Sequence, residues 1–77
     1  MDPKETYLIV TNDSLPLGER AEAAINLLSW LAKGGVFPQK PANVSLADFQ
    51  NYVIEQCQLV LTKALDTMLA LADGRLD

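Results

Sequence analysis

Histidine is absent from this 77-residue chain, and cysteine occurs once, at Cys57. The missing histidine removes the side chain that most often titrates near neutral pH and ligates metals. A lone cysteine rules out an internal disulfide framework and points to a reducing compartment. Together the two scarcities exclude a zinc site built from the usual ligands. No cofactor is expected. Basic residues number six, scattered from Lys4 to Arg75, so they form no patch. No run of about 18 apolar residues is present, so no membrane span is expected. The opening Met1-Asp2-Pro3-Lys4-Glu5 lacks the basic and apolar regions of a signal peptide. Neither G-x-x-x-x-G-K-[ST] nor C-x-x-C occurs. A cytoplasmic location is the resulting expectation.

What is present is apolar and acidic. The chain is 49% hydrophobic and 21% charged, which fits a folded domain better than a disordered one. Its net charge of −4 repels phosphate backbones, so nucleic acid is disfavoured as a partner. A chain this short buries a modest core and needs a staple. With disulfides and metals excluded, oligomerisation is the staple left.

Residues 1–14 read as an N-terminal arm. Within it, residues 6–11 are rich in strand formers, Tyr7, Leu8, Ile9 and Val10 between two threonines. One strand has no partner in its own chain. The arm therefore pairs across a dimer axis or with a partner's sheet, or lies on the helices as an extended or helical segment. Residues 15–33 read as a first helix, with Asp13 or Ser14 as N-cap, Pro16 in the first turn and Gly34-Gly35 as the stop. Leu17, Ala21, Ala24, Leu28 and Leu31 form its apolar stripe. Residues 34–44 are a connector that Pro38 and Pro41 keep from being helical, with Phe37 folding back over the helix pair.

Residues 45–73 carry the fullest helix signature. Ser45 is the N-cap, Asp48 stands at the third helical position, Val44 and Phe49 make a hydrophobic staple, and Gly74 caps the end. At 1.5 Å per residue this helix is about 42 Å long against about 28 Å for the first, so it overhangs. Phe49, Val53, Cys57, Val60, Ala64, Met68 and Leu71 form one apolar stripe. Ile54, Leu61, Leu65 and Leu69 lie beside it as a second. Two apolar faces on one helix imply two neighbours. The predicted core is Leu17, Ala21, Ala24, Leu28, Leu31, Phe49, Val53, Cys57, Val60, Ala64, Met68 and Leu71. The predicted interface is Ile54, Leu61, Leu65 and Leu69 with Trp30 and Leu27.

No residue pattern carries catalysis. Cys57 has no cation at helical spacing to activate it and lies on an apolar stripe, where cysteine serves as a small hydrophobe. Glu19 with Glu22, and Asp48 with Glu55, share faces, but those faces are solvent stripes. The expectation is therefore a non-enzyme.

The order strand, helix, turn, helix resembles that of ribbon-helix-helix DNA-binding dimers, although the strand carries no base-reading side chain. Residues 54–66 (Ile54-Glu55-Gln56-Cys57-Gln58-Leu59-Val60-Leu61-Thr62-Lys63-Ala64-Leu65-Asp66) resemble the closing helix of short uncharacterised bacterial two-helix proteins. That resemblance implies a bacterial cytosolic helical protein and brings no activity. The expected fold is mainly α, a helical hairpin with a short strand-like arm, dimerising into a four-helix bundle. The expected function is a small acidic protein-interaction module, an adaptor, regulator or inhibitor acting as a homo-oligomer, most simply a dimer, and with a protein partner. The alternatives are a ribbon-helix-helix-like transcriptional regulator and a ligand-binding helical bundle.

Overall fold

The computed structural model describes residues 1–35, 41–72 and 74. Three helices follow one another: α1 (Pro3–Thr11), α2 (Leu17–Ala32) and α3 (Leu46–Ala72). The fold is mainly helical, as expected. The expected strand is a helix, and its own residues say why. Asp2 is an N-cap whose carboxylate accepts the Lys4 N–H at 2.9 Å, Pro3 occupies the first turn, and Glu5 complements the positive helix start. The threonine hydroxyls turn back into the helix, Thr6 donating to the Asp2 carbonyl at 2.9 Å and Thr11 to that of Tyr7 at 3.1 Å. Their β-branching is thereby tolerated. Thr6 and Val10, four residues apart, bury one face of α1 against the other helices. The local preference for strand loses to capping and tertiary burial.

The loop to α2 also corrects an expected boundary. Asp13 and Ser14 do not cap the helix. They lie in a turn in which the Asn12 side chain accepts the Ser14 N–H at 3.0 Å and the Asn12 carbonyl accepts the Leu15 N–H at 3.1 Å. Helix α2 starts at Leu17 because Pro16 is the N-cap, with ψ of 144°, and a proline pushes the residue before it out of the α region. Arg20 then ties the two helices together. Its Nε donates to the Val10 carbonyl at 3.0 Å, at the negative end of α1, while its Nη2 lies 3.3 Å from the Asp13 carboxylate. Helix α1 therefore runs antiparallel to α2, and at the other end Met1 comes beside Trp30 and Lys33.

Gly34 and Gly35 end α2 as anticipated. The Gly35 N–H reaches back to the Trp30 carbonyl at 3.0 Å and that of Gly34 to Leu31 at 3.1 Å. This pairing is the Schellman arrangement, with Gly34 at φ of 89°. Gly35 has a second reason to lack a side chain: a Cβ there would run into the indole of Trp30, with Nε1 only 2.5 Å away. Ser45 caps α3, its hydroxyl accepting the Asp48 N–H at 3.1 Å, and Gly74 closes it at φ of 71°. Phe37 and Asp73 lie outside the described residues.

Helices α2 and α3 are antiparallel, since Leu17 at the start of α2 sits with Met68 near the end of α3. At 1.5 Å per residue they span about 24 and 40 Å, so the last turn of α3 extends beyond α2. The core is small: Val10, Ala23, Ala24, Leu27, Val53, Cys57 and Val60. Leu17, Ala21, Leu28, Leu31 and Phe49, all expected in the core, are partly buried against it. Met68 and Leu71, also expected there, are exposed: Met68 lines an open groove with Leu17, and Leu71 stands one turn further on, past the start of α2. Leu27 lies at 0% exposure in the middle of the core rather than at an interface. With α1 packed in, its direction from the helix axis points inward. Two neighbours of α3 are thus in the same chain, α2 and α1, while Leu65 and Leu69 of its second apolar row stay half-exposed.

Candidate functional site

Helix α1 covers one side of the α2/α3 pair. Its Thr6 and Ile9 border Glu19, Glu22, Ala23 and Asn26 of α2. Ala21 stands two residues from Ala23 and so roughly opposite it around the helix, at about 100° per residue. On Ala21's side nothing in the described chain covers the pair. There a groove of about 620 Å³ runs between the first half of α2 and the second half of α3. Leu17, Ala21 and Ile25 form one wall, and Leu61, Ala64, Leu65 and Met68 form the other. The helical register explains the lining. Residues 17, 21 and 25 recur every four on α2, and 61, 65 and 68 at spacings of four and three on α3. Ile25 is 54% exposed, Leu65 51% and Met68 60%. Leu69, one turn beyond Leu65 on the same row, is 50% exposed.

The six residues expected at an interface separate here. Leu61 and Leu65 line the groove directly. Ile54, partly buried, continues their row toward the start of α3, and Leu69 continues it toward the end. Trp30 is on another side of α2, packed on the core and over Gly35, and its Nε1 has no hydrogen-bond partner among the described residues. Leu27 is enclosed. Conversely, Leu17 and Met68 line the groove although their stripes pointed to the core, and Ile25 was not singled out at all. Its signal was present: it stands four residues after Ala21 and eight after Leu17.

The remaining candidates for chemistry do not converge. Among the described residues no three Asp, Glu or Cys side chains gather as a metal-binding group. Glu19, Glu22, Asp48 and Glu55 are exposed. No described helix is long and apolar enough to cross a membrane.

Cys57 and Tyr7 are chemically unusual without forming a catalytic arrangement. Burial pushes the Cys57 thiol up to about 11 from an ordinary 9.0. The Tyr7 hydroxyl is pushed up to about 12 from 10.0, first by burial, then by the Tyr52 hydroxyl to which it hydrogen-bonds, with Cys57 adding a smaller share. A raised thiol is a poor nucleophile at neutral pH. Both groups favour their neutral forms when folded. Their contribution is therefore complete below pH 9 and is lost as pH climbs from 9 toward 12, where the unfolded chain releases protons that the folded chain still holds. For Cys57 the loss is about 3 kcal/mol. Tyr7 contributes less, because it is only half-buried. Urea midpoints are expected to be flat from pH 6 to 8 and to drop by pH 11. Cys57→Ala should flatten most of that drop; a slope unaltered by the substitution would show that the thiol titrates as freely as in water.

No protein-family model matches the chain, and comparison with curated proteins and with solved structures likewise yields no match.

Proposed function

We propose that the chain is a small, non-enzymatic protein-interaction module and that the α2/α3 groove is its working surface. The observation that carries this reading is the groove itself: a two-sided, mostly apolar trough, about 620 Å³, in which Ile25, Leu65 and Met68 remain half-exposed beside a core of seven hydrophobic side chains among the described residues. A cluster of this kind on so small a protein is a binding feature before it is a packing accident. Its shape suits a helix. Two antiparallel helices with a row of apolar side chains on each flank leave a seat for a third. With α1 on the opposite side, an added helix would complete a four-helix arrangement around α2 and α3.

Two occupants fit that shape. A second copy would bring its own α2 and α3 and make the homodimeric four-helix bundle. A helix from another protein would occupy the groove alone. A small apolar molecule is a weaker fit. The volume lies within the range of ligand sites, but such sites enclose most of the ligand's surface, whereas here Ile25, Leu65 and Met68 are half-exposed beside the leucine and alanine walls, with Glu22, Asn26 and Thr67 as the polar members of the lining. The ribbon-helix-helix alternative loses its ribbon, because residues 6–11 are helical.

The reading is tested by titrating isotope-labelled chain with an amphipathic helical peptide bearing leucines at i, i+3, i+4 and i+7. Methyl shifts are expected at Ile25, Leu61, Leu65 and Met68. Leu65→Glu should keep the helical circular-dichroism spectrum, since the site is half-exposed, and weaken the complex at least about tenfold by placing an unpaired charge in the trough. If no shift appears with the peptide and light scattering finds no self-association, the groove is not a docking surface.

A further inference from the structure

We propose that α1 is a hinged cover. It opens as a unit about residues 12–16 while α2 and α3 stay paired, and this opening admits solvent to the apolar face beneath it, with Cys57 in that face. The covered face is on the other side of the α2/α3 pair from the groove, so the opening is independent of what the groove binds.

Helix α1 is poorly equipped to stand by itself. It has nine residues, and helices shorter than about 12–15 residues are marginal in water without tertiary support. Four of the nine, Thr6, Ile9, Val10 and Thr11, are β-branched and lose side-chain freedom in a helix. Its last turn has no basic residue of its own to offset the negative helix end. Arg20 supplies one from α2, through the Val10 carbonyl. The hold on the other helices is narrow. Thr6 and Val10 are the buried residues of α1, while Leu8 and Ile9 remain 58% and 38% exposed. Docking and helix formation are therefore one event. Once Val10 lifts, little keeps the segment helical, and it comes away whole.

The α2/α3 pair loses far less. Of the seven buried hydrophobic side chains, six belong to α2 and α3, and Val10 alone comes from α1. Leu17, Ala21, Leu28, Leu31, Phe49 and Leu61, which pack on that core, are also on α2 and α3. Two hydrogen bonds that cross from α1 must break, one between Arg20 and the Val10 carbonyl and one between the Tyr7 and Tyr52 hydroxyls. The Arg20–Asp13 ion pair need not, because Asp13 belongs to the connecting turn rather than to α1. That turn is exposed from Asn12 to Ser14, so its backbone can swing without disturbing the core. Cys57 is 0% exposed, with Val10 in the same cluster and Tyr7 near its thiol. Lifting α1 removes both.

The thiol reports the opening. The full chain is mixed with an aromatic disulfide reagent at pH 8 in urea concentrations below the unfolding midpoint, and each Cys57 thiolate displaces one coloured aromatic thiolate. Amide hydrogen exchange is followed in parallel. Labelling is expected to depend weakly on urea, because freeing one short helix exposes little surface. The opening constant it gives should match that of the α1 amides and exceed that of amides at the centre of α3 at least about tenfold. Val10→Ala should speed labelling at low urea at least about tenfold, since it loosens the closed state alone. Leu61→Ala, on the groove side, should lower the urea midpoint and leave low-urea labelling unchanged, because it weakens the closed and open states equally. Labelling with the steep urea dependence of the α3 amides, or acceleration of equal size by Leu61→Ala, overturns the proposal by showing that Cys57 is reached only through unfolding of the whole chain. The wild-type urea dependence decides the matter even if Val10→Ala does not fold.

Discussion

Leu27→Ala is expected to unfold a large part of the population at 25 °C. Leu27 is the largest side chain with no exposure, and it sits among Val10, Ala23, Ala24, Val53, Cys57 and Val60. Truncating a buried leucine to alanine costs about 3–5 kcal/mol when the surroundings cannot collapse into the space. Here they cannot: two of the neighbours are alanines, with no side chain to extend, and three helix backbones meet around the site. A 77-residue domain at the usual 0.05–0.15 kcal/mol per residue is stable by only about 4–11 kcal/mol. The measurement is a urea titration followed by far-ultraviolet circular dichroism, with Ile25→Ala as comparison. Ile25 is on the same helix but half-exposed in the groove, so its truncation should cost under about 1 kcal/mol. Equal costs at the two positions would mean that the core is not where α1, α2 and α3 meet.

Leu8→Pro is expected to destabilise the chain by about 3 kcal/mol or more, although it removes a side chain that is 58% exposed. The effect is confined to the backbone. Position 8 is inside α1, where a proline deletes the hydrogen bond to the fourth residue back and clashes with that carbonyl. Breaking α1 there also frees Val10 and the carbonyl to which Arg20 donates. Leu8→Ala is the control, expected to cost less than about 1 kcal/mol because alanine is a better helix former and little burial is lost. Were residues 6–11 an isolated extended arm, proline and alanine would have similar, small effects. Hydrogen exchange gives an independent check, since α1 amides should lose protection in the proline variant before those at the centre of α3.

The reach of local pattern is clearest at the helix ends. Ser45, Asp48 and Gly74 around α3, and Gly34-Gly35 after α2, could be placed from residue type alone, because a cap is a contact between atoms a few positions apart. Where local signals conflicted, the outcome was less legible. In α1 the start signal, Asp2-Pro3 with Glu5, competed with a β-prone Thr-Tyr-Leu-Ile-Val-Thr run, and the result depended on a surface elsewhere in the chain against which Thr6 and Val10 could be buried. At α2, two N-cap residues were available in Asp13 and Ser14, yet the proline two positions later controlled the backbone.

The candidate site was half legible. That α3 has a second apolar row at Ile54, Leu61, Leu65 and Leu69 follows from periodicity. Which part of that row stays open does not. Periodicity reports the direction of a side chain from its own helix axis and is silent about what lies in that direction. Leu27 and Ile25 are both apolar and two residues apart on α2, and one is sealed while the other lines a groove.

From its sequence alone the chain could be read as helical and acidic, short of disulfide and histidine chemistry, with a long capped helix carrying more apolar surface than one neighbour could cover. Each of those properties is local or compositional. Only the tertiary structure decided that the missing neighbour on one side is the chain's own N-terminal helix, and that the groove on the other side remains uncovered by the described chain. The reason is geometric: burial is a property of where helices cross, and a crossing depends on residues as far apart as Val10, Leu27 and Cys57 meeting at one point.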